Sequence, residues 1–569
     1  MKLCKGAILA LAVSYGLTYC HTTKSKLTLE QKSDSLTVIH ITNPTNYILL
    51  PIEEEAAESQ VLLDTGEATD TDMDIRLAQT QVDYFVPFAL PAGAKAATVR
   101  VRNKSKDALC WKEIKLSDTF DTANTEKFRP VYHHTPLYGW MNDANGLVYK
   151  DGEYHLYFQY NPYGNIGGNI HWGHAVSKDL LHWEQKSSVM APDELGMIFS
   201  GSAVVDSENR SGLKSGEEDV ILIYYTAAGG TNKLSENKKF TQCIAYSNDC
   251  GKTFVKYKEN PIIQNVGNDN RDPKVVWCEE MQCYVMALYL EEGTSSFGIF
   301  TSRDLLHWEF LQEIVIDGDA ECPDLYPIYV QDGERERKWV ITAASGKYII
   351  CECSENGFQI IQQAMPLNYT LHSYAAQTFY NVSDGRIIRM SWNRDVFFPE
   401  SPFSQQMSIP YDIVLKKKDN LYILCAKPIK ELEKLICDKY EIKNISISEN
   451  KEFKIPLKKS AYIISVGIAR EKFENLTISF FDCAVNMDSA NNQAVCGDKK
   501  IPLCVYKNTA DLSLIVDKCS IELISSDGAA TMTIPAICDY NIDSLVISSS
   551  SSAELDYLTV SELESVYNA

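Results

Sequence analysis

The segment AVSKDLLHWEQ at residues 175–185 returns almost unchanged as FTSRDLLHWEF at residues 300–310. Weaker copies are AYSNDCGKTF at 245–254 and CECSENGF at 351–358. Each copy reads as a strand, a tight turn rich in Ser, Asp or Gly, and an aromatic residue. Units of strands that recur every roughly 50 to 70 residues are typical of the blades of a β-propeller.

Two further strand patterns precede each repeated turn, so that each unit holds enough strands for one blade. The four units contain GLVYKDGEYHLYFQYN, VILIYYTAA, KVVWCEEMQCYVMALYL and LYPIYVQDGERERKWVITAAS, and a fifth unit, QTFYNVSDGRIIRMSWNR, follows them. The sequence therefore predicts a five-bladed β-propeller over residues 130–415. Helical periodicity is rare in this region, which disfavours an α/β fold.

Short alternating strands also flank the repeats. Residues 27–115 include DSLTVIHIT and AATVRVRN, which predict a small N-terminal β-sandwich. Residues 420–569 include YIISVGIA and LSLIVD, which predict a C-terminal β-sandwich. The fold class that follows is all-β, with a five-bladed propeller between two sandwiches.

Composition limits the kind of partner. The chain has 569 residues and a formal net charge of −22, and no basic run offsets this charge, so nucleic acid and anionic lipid surfaces are disfavoured as ligands. A neutral or cationic small ligand fits better. The 31 Tyr and 8 Trp residues suit either a strand-rich fold or the stacking of sugar rings.

The N-terminus resembles an export signal. Lys2 and Lys5 precede the apolar run GAILALAVSYGL, and LTYC ends the segment. We interpret residues 1–20 as a lipoprotein-like signal peptide with Cys20 as the lipid attachment site. This predicts a protein anchored by lipid in the outer membrane, at the cell surface or in the periplasm. Ordinary secretion is the alternative.

The 17 cysteines are scattered and do not form the spaced pattern of a disulfide framework. Most stand in strands, where a thiol serves as a small apolar side chain. The spacing in CEEMQC, residues 278–283, could bind a metal, but no matching Cys/His pair completes such a site in the sequence. No metal site is predicted.

Acidic residues stand at the start of three predicted blades: Asp143 in WMNDANG, Asp272 in NRDPKVV and Glu321 in DAECPDLYPI. The first strand of each propeller blade lines the central axis, so these side chains should meet at one mouth of the channel. The alternative for each residue alone is structural, with Asp143 capping a turn and Asp272 pairing with Arg271. Together they would be costly as mere structure, because too few cations accompany them.

Convergent carboxylates are what the cleavage of a glycosidic bond needs. One carboxylate attacks the anomeric carbon, and a second, kept protonated by its surroundings, gives a proton to the leaving oxygen. Retaining enzymes hold this pair about 5 Å apart. A third carboxylate can bind sugar hydroxyls and stabilise a cationic transition state.

The motifs WMNDANG, FSGSAV, HWGHAVSKDLLHW, NRDPKV and ECPDLYPI resemble, in order and spacing, the signature blocks of glycoside hydrolase family 32, the invertase, inulinase and levanase group. The resemblance covers residues 130–569. Residues 27–115 resemble an extra module that precedes this catalytic unit in enzymes of gut Bacteroidetes. The resemblance implies retaining hydrolysis of β-fructosides on fructan or sucrose, without a metal or organic cofactor.

The resemblance also implies roles for single residues. Asp143 would be the nucleophile, Glu321 the general acid and base, and Asp272 the stabiliser of the transition state. Further residues at family positions would shape the fructose pocket, namely Trp140, Met141, Asn142, Gln159, Trp172, Phe199, Ser200, Arg271 and Tyr374. Three departures bear on substrate preference rather than chemistry: Ala144 replaces the usual Pro, Ser373-Tyr374 stands where the family more often has Asp-Phe, and Tyr411 replaces the usual Arg.

Other functions stay open at this point. The same scaffold could bind fructan without cleaving it, in which case the aromatic residues would matter and Glu321 would not. A five-bladed glycosidase acting on arabinan or xylan also uses three carboxylates, although WMND and FSGS speak against it. Levan, inulin and sucrose remain alternative substrates, and cleavage could be exo or endo.

Overall fold

A computed structural model describes residues 24–66, 70–91, 93–120, 124–291, 296–331, 335–537 and 544–567. The predicted signal peptide and Cys20 lie outside the described residues. The described chain is built almost entirely of β-strands, which confirms the predicted fold class. None of the helices in this part of the chain is long and apolar enough to cross a membrane.

The N-terminal domain is a sandwich of two antiparallel sheets, in the orders β1-β2-β7-β4-β5 and β6-β3-β8. Alternating apolar residues of both sheets, such as Ile39, Ile48 and Val99, are fully buried between them. The elements are β1 Lys26–Ser33, β2 Leu36–Thr42, β3 Tyr47–Ile52, β4 Ser59–Leu63, β5 Met73–Ile75, β6 Tyr84–Ala89, β7 Ala96–Arg102, helix α1 Cys110–Glu113 and β8 Lys115–Ser117.

Five antiparallel sheets follow and form the blades of the propeller. Blade 1 contains β9 Gly139–Lys150, β10 Glu153–Asn161, β11 His171–Ser177 and β12 Glu184–Met190. Blade 2 contains β13 Met197–Asp206, β14 Val220–Ala228, the 3-10 helix Lys233–Ser235, β15 Thr241–Ser247 and β16 Val255–Lys256. Blade 3 contains β17 Arg271–Cys278, β18 Cys283–Leu290, β19 Ser296–Ser302 and β20 Glu309–Ile314, and blade 4 contains β21 Asp324–Tyr329, β22 Arg337–Thr342, β23 Lys347–Ser354 and β24 Gly357–Pro366.

The fifth blade contains β25 Ser373–Thr378, β26 Ile388–Asn393, β28 Gln406–Met407, β29 Tyr411–Lys418 and β30 Leu421–Pro428. Between β26 and β28 the short strand β27, Phe403–Ser404, crosses to blade 1 and pairs in parallel with Gly139 and Trp140 of β9. The last hairpin, β29 and β30, belongs to the fifth blade. The propeller therefore ends at Pro428, beyond the predicted limit of 415, because this hairpin supplies the outer strands that the fifth blade needs.

The repeated turn is stabilised by the same hydrogen bonds in its two most similar copies, at residues 177–183 and 302–308. In the first, the carboxylate of Asp179 accepts hydrogen bonds from the backbone N–H groups of Leu181 and His182. In the second, Asp304 accepts the corresponding bonds from residues 306 and 307. A short acidic side chain that holds its own following turn explains why the SxDLLHW pattern is kept in both blades.

The C-terminal domain is a sandwich of two six-stranded sheets around an apolar core. One sheet has the order β31-β42-β33-β38-β39-β40 and the other the order β32-β41-β34-β35-β36-β37. The elements are the 3-10 helix Lys430–Leu435, β31 Ile436–Ile447, β32 Glu452–Pro456, β33 Tyr462–Ala469, the 3-10 helix Arg470–Lys472, β34 Asn475–Phe480, β35 Cys483–Asp488, β36 Gln493–Cys496, β37 Lys499–Pro502, β38 Thr509–Asp517, β39 Ser520–Ser525, the 3-10 helix Ser526–Gly528, β40 Ala530–Pro535, β41 Ser544–Ser549 and β42 Ala553–Leu563.

A buried charged network joins this sandwich to the propeller. His133, just before blade 1, contacts Asp517 through Nδ1 and Glu522 through Nε2, both at 2.9 Å. Burial opposes the charged imidazole, but the two carboxylates prevail and raise the pKa of His133 to about 9. Glu522 also accepts hydrogen bonds from Asn393 and from Tyr411 of the fifth blade. Tyr411, which stands where the family usually has Arg, thus serves the domain interface.

Candidate active site

Four of the five innermost strands carry one extra residue at the mouth of the channel. In blade 1 the pairing jumps from Met141 to Ala144 while the partner strand advances by two residues. The same jump occurs over residues 198–201 of blade 2, 271–274 of blade 3 and 374–377 of blade 5. A bulge of this kind bends the strand and turns side chains away from the regular alternation. The bulged residues include Asp143, Ser200 and Asp272.

Asp143 and Asp272 are brought together by Cys322, the residue after Glu321. The thiol Sγ of Cys322 lies 3.4 Å from Oδ2 of Asp143 and 3.4 Å from Oδ2 of Asp272. The backbone N–H of Cys322 also donates to Oδ2 of Asp272 at 3.0 Å. The blade starts at residues 143, 272 and 321 therefore converge on one point, as the sequence predicted. The cysteine between them was not predicted.

Glu321 is held from both sides at the open end of this cluster. Arg271 donates to its Oε1 at 2.9 Å, and the hydroxyl of Tyr374 donates to its Oε2 at 3.0 Å. The Glu321 side chain is 34% exposed to solvent, so it can reach a ligand in the channel mouth. Arg271 also lies near Asp272 and Glu291, at 4.0 and 3.6 Å.

The backbone at the cluster adopts conformations that side-chain-bearing residues rarely take. Asp272 has a φ of 66°, and the consecutive residues Glu321 and Cys322 have φ values of 56° and 40°. The left-handed region costs energy for residues other than glycine, and such strain is concentrated at functional sites. Here it turns the carboxylates towards one another.

Burial, together with repulsion from neighbouring carboxylates, raises the pKa values of both aspartates. Burial is the main cause for Asp143 and Asp272 adds to it, while hydrogen bonds from Ser200 and Cys322 oppose the change; the pKa of Asp143 is about 7. Burial likewise raises the pKa of Asp272 to about 6, against the opposing charge of Arg271. The cluster of Asp143 and Asp272 thus takes up a proton near neutral pH.

Of the other predicted residues, some contact Asp143 directly and others hold the backbone of blade 2. Ser200 donates to Oδ2 of Asp143 at 2.6 Å, and the amide of Asn142 donates to its Oδ1 at 3.2 Å, so both touch the nucleophile candidate. Gln159 and Trp172 instead donate to the backbone carbonyls of Ile198 and Phe199, which hold the blade 2 bulge in place.

Two of the predicted wall residues do not reach the pocket surface. Met141 and Trp172 are fully buried, because each packs into an apolar cluster of the blade. They support the pocket from behind rather than line it. Trp140 and Phe199, by contrast, are partly exposed.

An aromatic rim extends from the carboxylates to the start of blade 1. The ring of Tyr374 lies 6.4 Å from that of Trp392, which lies 6.0 Å from that of Trp140, both in edge contacts. Arg394 covers Tyr374 and Trp392 at 5.5 and 5.8 Å. Trp392 and Arg394 were missed in the sequence, although SWNR was recognised as part of the fifth blade.

Lys274, which was also missed in the sequence, neutralises part of the negative charge in the channel. Lys274, two residues after Asp272, pairs with Asp324 at 2.9 Å and donates to the carbonyl of Thr378 at 2.8 Å. All three are buried. Asp324 is therefore neutralised within the propeller, and the chemistry is left to residues 143, 272 and 321.

Two groups of side chains in the described chain could hold a metal ion. In one, Sγ of Cys278 lies 3.5 Å from Sγ of Cys353 and 3.5 Å from Oε2 of Glu280. These two cysteines come from blades 3 and 4, so no sequence spacing indicates that they lie together. The other group, Asp151, Glu218 and Cys250, already surrounds the ammonium group of Lys150. Neither group includes a residue of the carboxylate cluster.

Comparison with known proteins agrees with this geometry. The model described as "Glycosyl hydrolases family 32 N-terminal domain" matches residues 133–428, which is half of the chain. The chain belongs to glycosyl hydrolase family 32. It is a glycoside hydrolase by this membership, and residues 33–132 match a domain of unknown function, DUF4980.

Relatives in family 32 cover most of the chain. A levanase of Bacillus subtilis (strain 168) is 32% identical over 492 residues, which are 78% of this chain and 71% of the levanase. An extracellular exo-inulinase of Aspergillus niger is 29% identical over 72% of this chain and 89% of its own length. The crystal structure of exo-inulinase from Aspergillus awamori superposes with a TM-score of 0.70 at 25% identity, over 79% of this chain and 100% of that one.

Neutralising Asp272 should change the pH dependence of kcat/KM, because Asp272 affects the pKa of Asp143. Asp272→Asn removes the charge that, after burial, does most to raise the pKa of Asp143. The family resemblance assigns Asp143 as the nucleophile, which must be ionised to react, so we expect the acid limb of the kcat/KM profile to move to lower pH, by about one unit. Turnover at the optimum should fall about 100-fold or more, since a stabilising group is lost.

The measurement is kcat/KM for fructose release between pH 4 and 9. Asp269→Asn, which changes an exposed carboxylate three residues upstream, is the matched control and should leave the profile in place. An unchanged acid limb in Asp272→Asn would show that the charge of Asp272 does not affect the pKa of Asp143.

Proposed function

We propose that this chain is a retaining β-fructosidase that hydrolyses fructans or sucrose through a covalent fructosyl-enzyme intermediate. The observation that carries the proposal is that Asp143 and Asp272 both contact Cys322, the residue after Glu321, while Arg271 lies between Asp272 and Glu321. Retaining hydrolysis uses two carboxyl groups that flank the bond to be cleaved, one as nucleophile and one as acid and base. The names of the levanase, invertase and exo-inulinase relatives support β-fructosides as the substrates.

In the first step, a carboxylate oxygen of Asp143 attacks C2 of the fructosyl unit. The bond from C2 to the glycosidic oxygen breaks, and protonated Glu321 gives its proton to that oxygen. Asp272 stabilises the positive charge that develops on the sugar ring and binds its hydroxyls. Ser200, which donates to Asp143 at 2.6 Å, orients the attacking carboxylate.

In the second step, the carboxylate of Glu321 takes a proton from water, and the water oxygen attacks C2. The bond from C2 to Asp143 breaks, which frees the carboxylate and releases fructose with its configuration retained. Arg271 and Tyr374 contact opposite oxygens of Glu321, and we assign them the task of holding this residue in both protonation states.

The direct test is an assay of the purified chain on levan, inulin and sucrose. Release of fructose supports the proposal, and binding without release would favour a fructan-binding protein instead. Chromatography of the earliest products separates the two modes of cleavage, because an exo enzyme releases only fructose whereas an endo enzyme releases oligosaccharides first.

We also propose that the enzyme works outside the cytoplasm, attached to the outer membrane through a lipid on Cys20. Support comes from the lipoprotein-like signal of residues 1–20 and from the extracellular exo-inulinase relative. Cys20→Ala should shift the protein from the membrane fraction to the soluble fraction and abolish labelling by radioactive palmitate. Cys4→Ala, within the predicted signal peptide, is the matched control. If the protein is soluble with Cys20 intact, it is secreted rather than anchored.

A further inference from the structure

A cavity of ≈ 600 Å³ lies between the N-terminal domain and the propeller. Residues of both domains line it, with Glu54, Asp83 and Tyr84 on one side and the segment 397–404 of the fifth blade on the other. Its volume is in the range that holds a ligand of several sugar units rather than one water or ion. Neither the family model nor the carboxylate cluster accounts for it.

The cavity adjoins the mouth of the active site. Its segment 397–404 includes β27, whose Phe403 and Ser404 pair with Gly139 and Trp140. Trp140 stands three residues before Asp143 and joins the aromatic rim that leads to Tyr374 and Glu321. A polymer whose terminal unit occupied the carboxylate cluster would therefore find this cavity beside its next units.

The N-terminal domain also holds a loop that contributes Asn165 to the cavity lining and contacts Trp140. This loop, residues 162–170 between β10 and β11, passes over the Trp140 ring, since a Cβ on Gly167 would lie 3.5 Å from it. Glu54 accepts a hydrogen bond from the backbone N–H of Asn165 at 3.1 Å. Farther along the loop, Asn169 and Asp74 exchange two bonds, at 2.8 and 2.9 Å.

The lining has the chemistry of a site for neutral sugars. Phe397 is 58% exposed although it is a large apolar residue, and Tyr84 is partly exposed across the cavity. Exposed aromatic rings beside a cleft mark ligand sites, and such rings stack on sugar faces. Glu54, Asp83 and Glu400 offer acceptors for hydroxyl groups. No Lys, Arg or His belongs to the described lining, so an anionic ligand is excluded.

From this placement we infer that the N-terminal domain completes the substrate cleft, and that the cavity binds fructosyl units of a fructan chain beyond the unit being cleaved. This inference rests on the proposed function and deepens it. The N-terminal domain then determines specificity for polymers. Tyr84 and Phe397 are its binding residues, and Glu54 positions the loop of residues 162–170.

The test compares polymer with short substrate. Phe397→Ala, and Tyr84→Leu, which keeps apolar packing in the N-terminal core, should each lower kcat/KM on inulin or levan about 5- to 10-fold. Activity on sucrose, or on the shortest oligosaccharide that the wild-type enzyme cleaves, should stay within twofold. Phe310→Ala removes a ring that is 57% exposed on the outer strand of blade 3 and is the matched control.

Two results would overturn the inference: unchanged activity of both variants on polymer, or an equal loss on polymer and on the short substrate. A binding assay separates this failure from failure of the proposed function. In the Glu321→Gln background, affinity for inulin-derived oligosaccharides should increase with chain length, and Phe397→Ala should abolish the increase. Undiminished turnover by Glu321→Gln would reject the assigned chemistry, whereas a flat length dependence would reject the cavity alone.

Discussion

Replacement of Asp143 by asparagine is expected to lower kcat by about four orders of magnitude or more, because the amide cannot form the covalent bond to C2. The residue contacts Ser200, Asn142 and Cys322 at distances from 2.6 to 3.4 Å, and an amide of the same shape fits these contacts. Steady-state release of fructose measures the loss. Circular dichroism checks that the fold survives.

The same variant should be more stable than the wild type at alkaline pH. Asp143 has an ordinary pKa of 3.8 and a pKa of about 7 in the folded chain, so the folded state binds its proton more tightly than the unfolded state does. The stability that this proton confers is complete below pH 3.8 and is lost as the pH rises through 7. At pH 8 the neutral amide avoids a cost of up to ~4 kcal/mol, so Tm should rise by several degrees there and hardly change at pH 4.

Asp206→Asn is a control for which the opposite effects on Tm and kcat are expected. Asp206 is also fully buried, in blade 2, but its carboxylate accepts hydrogen bonds from the backbone of Arg210 and from the backbone and hydroxyl of Ser211. Loss of those bonds should lower Tm without lowering kcat. If Asp143→Asn keeps wild-type turnover, or is less stable at pH 8 than the wild type, then Asp143 is a structural residue.

Glu321→Ala should lower turnover of sucrose or fructan by about 100- to 10,000-fold, because the leaving oxygen is no longer protonated. Fructosyl fluoride needs little help from an acid, so its first step should survive and give a burst of fluoride. The second step then lacks a base. Azide, which fits the space that the side chain vacates, should restore turnover and yield fructosyl azide with retained configuration.

Glu291→Gln is the matched control for this experiment, since Glu291 also pairs with Arg271, at 3.6 Å, from outside the cluster. It should remain active on every substrate and show no response to azide. Absence of both the fluoride burst and the azide effect in Glu321→Ala would assign the proton transfer to another residue.

The repeated turns, the strand pairs between them and the motifs at the blade starts were sufficient to predict the propeller and its three carboxylates. This succeeded because a propeller places the starts of its inner strands around one axis, whatever their separation in the sequence. Asp143, Asp272 and Glu321 could therefore be grouped without knowing any side-chain direction.

Local geometry could not be predicted in the same way. The bulges at Asp143, Ser200 and Asp272 each add one residue to a strand, and alternating patterns do not reveal which residue is extra. The role of Cys322 could not be predicted, because its thiol reaches the aspartates from a left-handed backbone at residues 321 and 322 that no sequence pattern indicates. Contacts of the N-terminal domain with residues 162–170 depend on how two domains dock, which no local pattern records.

His133 has a consequence for any attempt to shorten this enzyme. Its imidazole ring is held between Asp517 and Glu522 of the sandwich, so removal of everything after Pro428 would take away both partners of this buried ring and uncover the side of blade 5 that carries Tyr411 and Asn393. We therefore expect that the propeller cannot be separated from the C-terminal sandwich without loss of stability. Designers who graft this propeller onto another scaffold must carry the C-terminal sandwich along with it.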